Sequence, residues 1–256
     1  MTTPATLLVT GGTGTLGRLT VPRLLAAGFT VRVLTRGEHP DADGVRYVRG
    51  DLVAGTGLAA ALDGVDAVLH LAGGARGDDT AARHLAAALR GSAVRHVVMV
   101  SVIGADRMPL GWFRAKRDAE RALADSGVPW TVLRAAQFHD LVFTMAARLA
   151  KLPVLPAPGG LRFEPVDARE VADRLVELVL GEPAGLVPDL AGPRAYAFAD
   201  LARGYLTATG RRRLALPVPL AGKVGRAYRQ GENLAAPEAA HGGRSWEAFL
   251  AERLAA

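Results

Sequence analysis

Residues 5–18 read Ala-Thr-Leu-Leu-Val-Thr-Gly-Gly-Thr-Gly-Thr-Leu-Gly-Arg, an apolar run that enters a turn with glycines at 11, 14 and 17 and leaves as a helical pattern. No other stretch limits the fold as tightly. An uninterrupted apolar strand is the mark of a strand covered on both faces, as in parallel sheets. Gly11 permits a tight turn, Gly14 lets the backbone come close to a ligand, and Gly17 lets the helix pack against the strand. From Thr13 through Thr15 and Leu16 the chain enters a helix whose first N–H groups are unpaired and carry the positive end of the dipole. Such a turn suits a dinucleotide pyrophosphate. Its spacing is Gly-x-x-Gly-x-x-Gly, not the Gly-x-Gly-x-x-Gly of long-chain dehydrogenases.

Further apolar, β-branched runs fall at 30–35, 45–48, 66–71, 95–101 and 129–134, and helical patterns at 16–27, 78–90 and 112–126 lie between them. This alternation predicts an α/β fold, a Rossmann-type doubly wound parallel sheet with ligands gathered at the carboxyl ends of the strands. Pro153, Pro156 and Pro158 with Gly159-Gly160 then break the pattern. The expected division is a nucleotide-binding core over 1–152 and a smaller C-terminal substrate-covering lobe over 153–256, partly integrated with the core. In that lobe Asp167 and Glu170 have capping-box spacing before a helix that runs to Leu180. Helices are also expected near 197–209 and from Ser245 to Leu254, and the Gly-, Ala- and Pro-rich stretch 231–244 reads as a mobile or irregular connection.

With 256 residues, half of them hydrophobic, the chain can bury one substantial core. It has no apolar run near the roughly 20 residues that span a bilayer and no secretory leader pattern. The expectation is a soluble, cytoplasmic protein with no membrane partner. The absence of cysteine excludes disulfides, a thiolate nucleophile and thiolate metal sites. The histidines lack metal-ligand spacing, so no metal is expected. The net charge of +6 admits an anionic partner, but the basic residues are scattered and only Arg211-Arg212-Arg213 forms a run. That pattern argues for a solvated turn and against nucleic acid. Homo-oligomerisation is left open.

The second strand ends in Arg36-Gly37, where NAD-specific folds carry an acid that reaches the ribose hydroxyls. A guanidinium there favours the 2′-phosphate of NADP. Arg36 also reads as a solvated loop residue, with Arg18 sharing or taking over the phosphate. Asp51 fits the adenine amino group with Leu52 against the ring, or a helix N-cap. Leu71, Ala72 and Gly73 leave room for a ribose to pass.

On Thr10–Gly17, Val33-Leu34-Thr35-Arg36, Gly50-Asp51-Leu52, Val100–Ala105, Phe113-Arg114-Ala115-Lys116 and Trp130–Arg134, the chain resembles the atypical short-chain dehydrogenase/reductase superfamily, in its NmrA-like, NAD(P)H-binding group. The resemblance implies a reductase in which a tyrosine four residues before a lysine donates a proton. Here Lys116 is present, but Trp112 stands in place of tyrosine, and an indole cannot supply that proton near neutral pH. Lys116 is one of only three lysines and is expected to hold the nicotinamide ribose, the alternative being an exposed helix lysine. Ser101 ends the fifth strand, as a donor to a substrate carbonyl or as a turn former. Phe138 and His139 follow the sixth strand, where relatives line the nicotinamide. His139 is a candidate replacement acid, or a substrate-binding or packing residue. Ile103, Trp112, Phe138, His139 and Phe143 are the candidate substrate contacts, within a wider set of aromatics that line an apolar pocket or form ordinary core. The reading is an NADP-dependent reductase of a small apolar or aromatic carbonyl, quinone or polyketide-like molecule. The proton comes from water, His139 or the substrate itself. An NADP-binding regulator without turnover and a non-redox tailoring enzyme are the alternatives.

Overall fold

A computed structural model describes residues 5–42, 44–74 and 76–255. The first stretch alternates as read from the sequence: β1 (Thr6–Thr10), α1 (Thr15–Ala26), β2 (Thr30–Thr35), β3 (Val45–Arg49), α2 (Leu58–Leu62), β4 (Ala67–His70) and α3 (Asp78–Leu89). Then come β5 (His96–Val102), α4 (Gly111–Ala124), β6 (Trp130–Ala135), α5 (His139–Leu149), β7 (Val154–Pro158), β8 (Arg162–Phe163) and α6 (Ala168–Leu180). The chain ends with β9 (Gly185–Leu186), β10 (Leu190–Ala191), β11 (Tyr196–Ala197), α7 (Phe198–Ala208), β12 (Leu214–Val218), α8 (Gly222–Gln230), β13 (Ala240–His241) and α9 (Trp246–Ala255).

These elements form two compact units. Instead of one cut at 152, the chain passes between them: one unit holds Met1–Ser101, Arg114–Leu133 and Val171–Val187, and the other Val102–Phe113, Arg134–Glu170 and Pro188–Ala256.

In the first unit the strand order is β3-β2-β1-β4-β5-β6, with β9 beside β6. The registered pairs are parallel, Leu8 opposite Arg32 on one side of β1 and opposite Val68 on the other. This is the Rossmann strand order, in which the chain reverses direction across the sheet between β1 and β4. Leu7, Leu8, Val9, Val68 and Leu69 are fully buried, which is why these strands read as unbroken apolar runs.

In the second unit α5, α7 and α9 meet around Val142, Leu155, Phe163, Phe198, Leu201, Tyr205, Trp246 and Phe249. Two of the aromatics weighed for a substrate pocket are therefore core: Phe163 packs edge-on to Phe198, and Trp246 stacks on Phe249. Residues 231–244 form an irregular connection, one of the two expected alternatives, and backbone bonds hold it. The Ala240 N–H donates to Asp189 O and the Gly242 N–H to Ala191 O, which makes β13 a partner of β10. The capping box is half formed. Asp167 Oδ1 accepts the Arg169 N–H at 2.9 Å, but Glu170 turns away and accepts the Gly243 N–H at 2.7 Å.

Candidate functional site

The cofactor cradle is built entirely within the first unit, at the carboxyl ends of β1 and β4. Gly11 adopts φ +72°, and a Cβ there would stand 2.6 Å from the amide nitrogen of Ala72. Only glycine lets the turn after β1 cross the loop after β4 so closely. A Cβ on Gly17 would run into the Gly11 carbonyl and Gly12 Cα, so this glycine packs α1 against its own entry turn. Gly12 is a further requirement that the sequence reading missed, since a Cβ there would lie 2.8 Å from Val33 Cγ1.

Gly14 is the N-cap of α1 and supplies no side-chain cap, and the first turn holds no acid. Thr13, Gly14 and Thr15 are exposed while Leu16 and Gly17 are buried. The leading N–H groups thus face outward with their dipole charge unneutralised. Arg18 Nε donates to Thr13 O at 3.0 Å, which closes the turn. Arg36 is exposed just past β2, where the Gly37 N–H donates to Thr35 Oγ1 at 3.2 Å. Asp51 is no helix cap, because α2 begins after Gly57. Its Oδ1 accepts the Val53 and Ala54 N–H groups within its own turn. The Leu52 side chain belongs to the core, not to an open adenine face.

Beyond the loop after β4, the ammonium of Lys116 lies 2.8 Å from Asp78 Oδ2, with side chains 9% and 6% exposed. Lys116 is therefore buried and paired, not a surface lysine of α4. The other oxygen of the carboxylate, Asp78 Oδ1, accepts the Gly74 N–H at 2.8 Å. A Cβ on Gly73 would come within 2.8 Å of Lys116 Nζ, so the bare glycine keeps the approach to that ammonium clear. Deeper in, His70 Nδ1 lies 2.7 Å from Thr10 Oγ1, which also accepts the Ala72 N–H. Burial, reinforced by the nearby Lys116 charge, lowers the His70 pKa to about 3, so this ring is a neutral tie between β1 and β4. Sequence reasoning missed Asp78, His70 and Thr10. Asp78 stood in plain view as the first residue of the helical pattern after β4, but its partner is distant in sequence.

Ser101 Oγ is buried without a hydrogen-bond partner among the described residues. It does not act as a turn former. An orphaned hydroxyl, an uncapped helix start, a glycine-cleared backbone and a buried ammonium beside Gly73 fit a phosphate- and ribose-bearing nucleotide.

The second unit holds the candidate substrate residues, with mixed results. Ile103 is fully buried core and its N–H donates to Ala135 O. His139 is likewise fully buried, its ring 5.1 Å from that of Phe249 and 5.9 Å from that of Trp246. Neither ring nitrogen has a hydrogen-bond partner among the described residues. Burial outweighs the pull of Asp167 and lowers its pKa to about 4, which leaves it neutral and unsuited to donate a proton near pH 7. Asp140, its sequence neighbour, makes no dyad with it. The charge nearest in effect is Asp167, which Arg169 and Arg244 hold. Burial works against the Asp167 charge, but Arg169 hydrogen bonds and both guanidiniums keep it ionised. Phe138, half-buried, is the N-cap of α5. Phe143 packs edge-on to Tyr205 at 5.1 Å. Trp112 is 38% exposed and meets Phe113 edge-on at 5.0 Å.

Among the described residues no His, Cys, Asp and Glu cluster could hold a metal, and no helix is long and apolar enough to cross a membrane.

Three comparisons place this geometry among known proteins. The chain is 34% identical over 183 residues to a (4-alkanoyl-5-oxo-2,5-dihydrofuran-3-yl)methyl phosphate reductase of Streptomyces griseus, a match covering 68% of this chain and 63% of that one. It is 29% identical over 214 residues to an NAD(P)H azoreductase of Xenophilus azovorans, covering 80% and 74% respectively. Its fold matches that of an NADPH-dependent quinone oxidoreductase from Escherichia coli, solved with NADPH, at a TM-score of 0.82 and 20% identity over 97% of this chain and 99% of that one. A family model described as NAD(P)H-binding matches residues 11–179. The chain belongs to this NAD(P)H-binding family, in the NmrA-like group of atypical short-chain dehydrogenases/reductases.

Proposed function

We propose that the chain is an NADPH-dependent reductase of a small, apolar carbonyl, quinone or conjugated aromatic molecule. The observation that carries the reading is the buried Lys116 ammonium beside Gly73, in the same unit as the glycine turn. The N–H groups of Thr13 through Gly17 hold the pyrophosphate, Arg36 meets the 2′-phosphate, and Lys116 binds the nicotinamide ribose. NADPH, when bound, supplies a hydride. The chain's contribution is to bind and orient, which is most of what such a transfer asks of a protein. Ser101 is free to donate to a substrate oxygen. Neither Trp112 nor neutral His139 supplies a proton, so the reduced oxygen takes its proton from water, which suits quinones.

The names of the azo-, quinone- and furanone-reducing relatives support this class of substrate. The test is NADPH oxidation against a panel of quinones, azo dyes and aromatic ketones, repeated with NADH and with Arg36→Glu. Turnover with a quinone or azo acceptor is expected, with NADPH preferred and that preference lost by about tenfold or more in the variant. No turnover across the panel overturns the reading. Trp112 at the proton donor's place favours a second reading, a protein that binds NADPH and senses it without turnover. Tight NADPH binding with no acceptor reduced would select it.

A further inference from the structure

The second unit carries an apolar surface unrelated to the cofactor cradle. β7 and β12 pair as a parallel two-stranded ribbon, with Val154 opposite Leu214, Pro156 opposite Leu216 and Pro158 opposite Val218. Side chains alternate along a strand, so these six occupy one face. The other face sends Leu155, 1% exposed, into the core of the unit. On the first face Leu214, Leu216 and Val218 are 76%, 52% and 36% exposed. Its strands also lack donors at Pro156, Pro158 and Pro217, which hinders the addition of another strand.

Charge is segregated around this ribbon. The two segments that carry it, residues 141–163 and 201–231, contain ten of the chain's 31 Lys and Arg and none of its 25 Asp and Glu. The remaining residues therefore net −4 although the whole chain is +6. A third of the chain's basic residues thus fall on the two segments that carry the ribbon. Arg213 Nε donates to Leu152 O at 2.8 Å, which ties the exposed Arg211-Arg212-Arg213 run to the start of β7. Exposed Lys223 and Arg226 follow β12 on α8.

We propose that this ribbon docks the protein on anionic lipid bilayers, with Leu214, Leu216 and Val218 entering the headgroup region and Arg211, Arg212 and Lys223 meeting lipid phosphates. An exposed aliphatic face among cations of one sign is the pattern of peripheral membrane binding, in which each element alone is too weak. A second copy of the chain would bring like charges together across the same face. Nucleic acid would call for stacking aromatics, and the ribbon face is aliphatic. The absence of an apolar span, from which no membrane partner is expected, does not bear on a surface-bound ribbon. The proposal is independent of the reductase reading.

Flotation of the full chain with phosphatidylcholine vesicles, with and without phosphatidylglycerol, tests it. Binding only to phosphatidylglycerol vesicles is expected, falling at least tenfold in Leu214→Ser/Leu216→Ser and in Arg211→Glu/Arg212→Glu. NADPH binding and circular dichroism stay unchanged in both variants, which alter exposed residues only. Absence of binding to the anionic vesicles overturns the proposal, and so does binding that the leucine variant leaves intact. A dimer in light scattering that the leucine variant dissolves, without vesicle binding, assigns the face to a second copy instead. Retention of duplex DNA without vesicle binding assigns it to nucleic acid.

Discussion

Lys116 and Asp78 set the energetics of the cradle at the scale of single residues. Two buried opposite charges are held against a desolvation cost, so the loss of one partner hurts more than the loss of both. Lys116→Met leaves the Asp78 carboxyl buried without its charge partner and is expected to destabilise the protein by about 3–5 kcal/mol. Lys116→Met/Asp78→Asn recovers most of that loss in a urea titration, and if the double variant were no more stable than the single one, the pair would not be the cause. His139 calls for the opposite argument. Its ring nitrogens are unpartnered between Trp246 and Phe249, so His139→Leu removes a polar group that gains nothing from burial. That variant is expected to be at least as stable as the parent and to keep acceptor reduction within about threefold. A drop of two orders of magnitude in turnover would return His139 to the chemistry.

At the scale of elements, the turn from β1 into α1 tolerates little change. Gly17→Ala would push a methyl group into the Gly11 carbonyl, and either the turn or the start of α1 must move. Loss of NADPH binding with a lowered melting temperature is expected, and an alanine variant with parental affinity would show that the entry geometry is not what grips the cofactor. This element was legible from sequence because its constraint is local: three glycines spaced by two residues dictate one backbone path. The six long strands were legible for a related reason, since burial on both faces leaves little besides apolar residues. What was not legible depends on distant partners. The 231–244 stretch is the irregular connection its composition suggests, but the Asp189 and Ala191 carbonyls and the Glu170 carboxylate that hold it lie far off in sequence. Glu170 itself has perfect capping-box spacing after Asp167, and the Gly243 N–H outcompetes the local bond. His139 beside Asp140 suggested a dyad, whereas adjacent residues leave the backbone in different directions. α8 was missed because its nine residues, Gly222–Gln230, contain few apolar side chains to mark a period.

At the scale of the whole molecule, acid is expected to weaken the fold through its buried histidines. His70 and His139 have folded pKa values of about 3 and about 4, below the ordinary 6.5. The unfolded chain therefore takes up protons first as pH falls. Their contribution to stability is complete above pH 6.5 and is lost as pH drops, toward about 4 for His139 and about 3 for His70. At pH 5 the loss is about 2 kcal/mol for each. Melting curves between pH 7.5 and 5 are expected to show the decline, shallower in His139→Leu, and a flat profile would mean these rings are not buried neutral. The division into two interleaved units was the least legible feature, because the chain returns to the first unit at Val171–Val187 after leaving it, and nothing local in the sequence marks the crossing points.

In the proposed reading the first unit holds NADPH by its glycine turn at one end and by Lys116 at the nicotinamide ribose. Calorimetric titration of the parent and of Lys116→Met/Asp78→Asn with NADPH and with adenosine 2′,5′-bisphosphate, which lacks that ribose, tests it directly. The account predicts that the parent binds both and that the double variant loses at least tenfold in NADPH affinity while keeping its affinity for the bisphosphate. Equal NADPH affinity in the two proteins, or no NADPH binding by the parent, would contradict it.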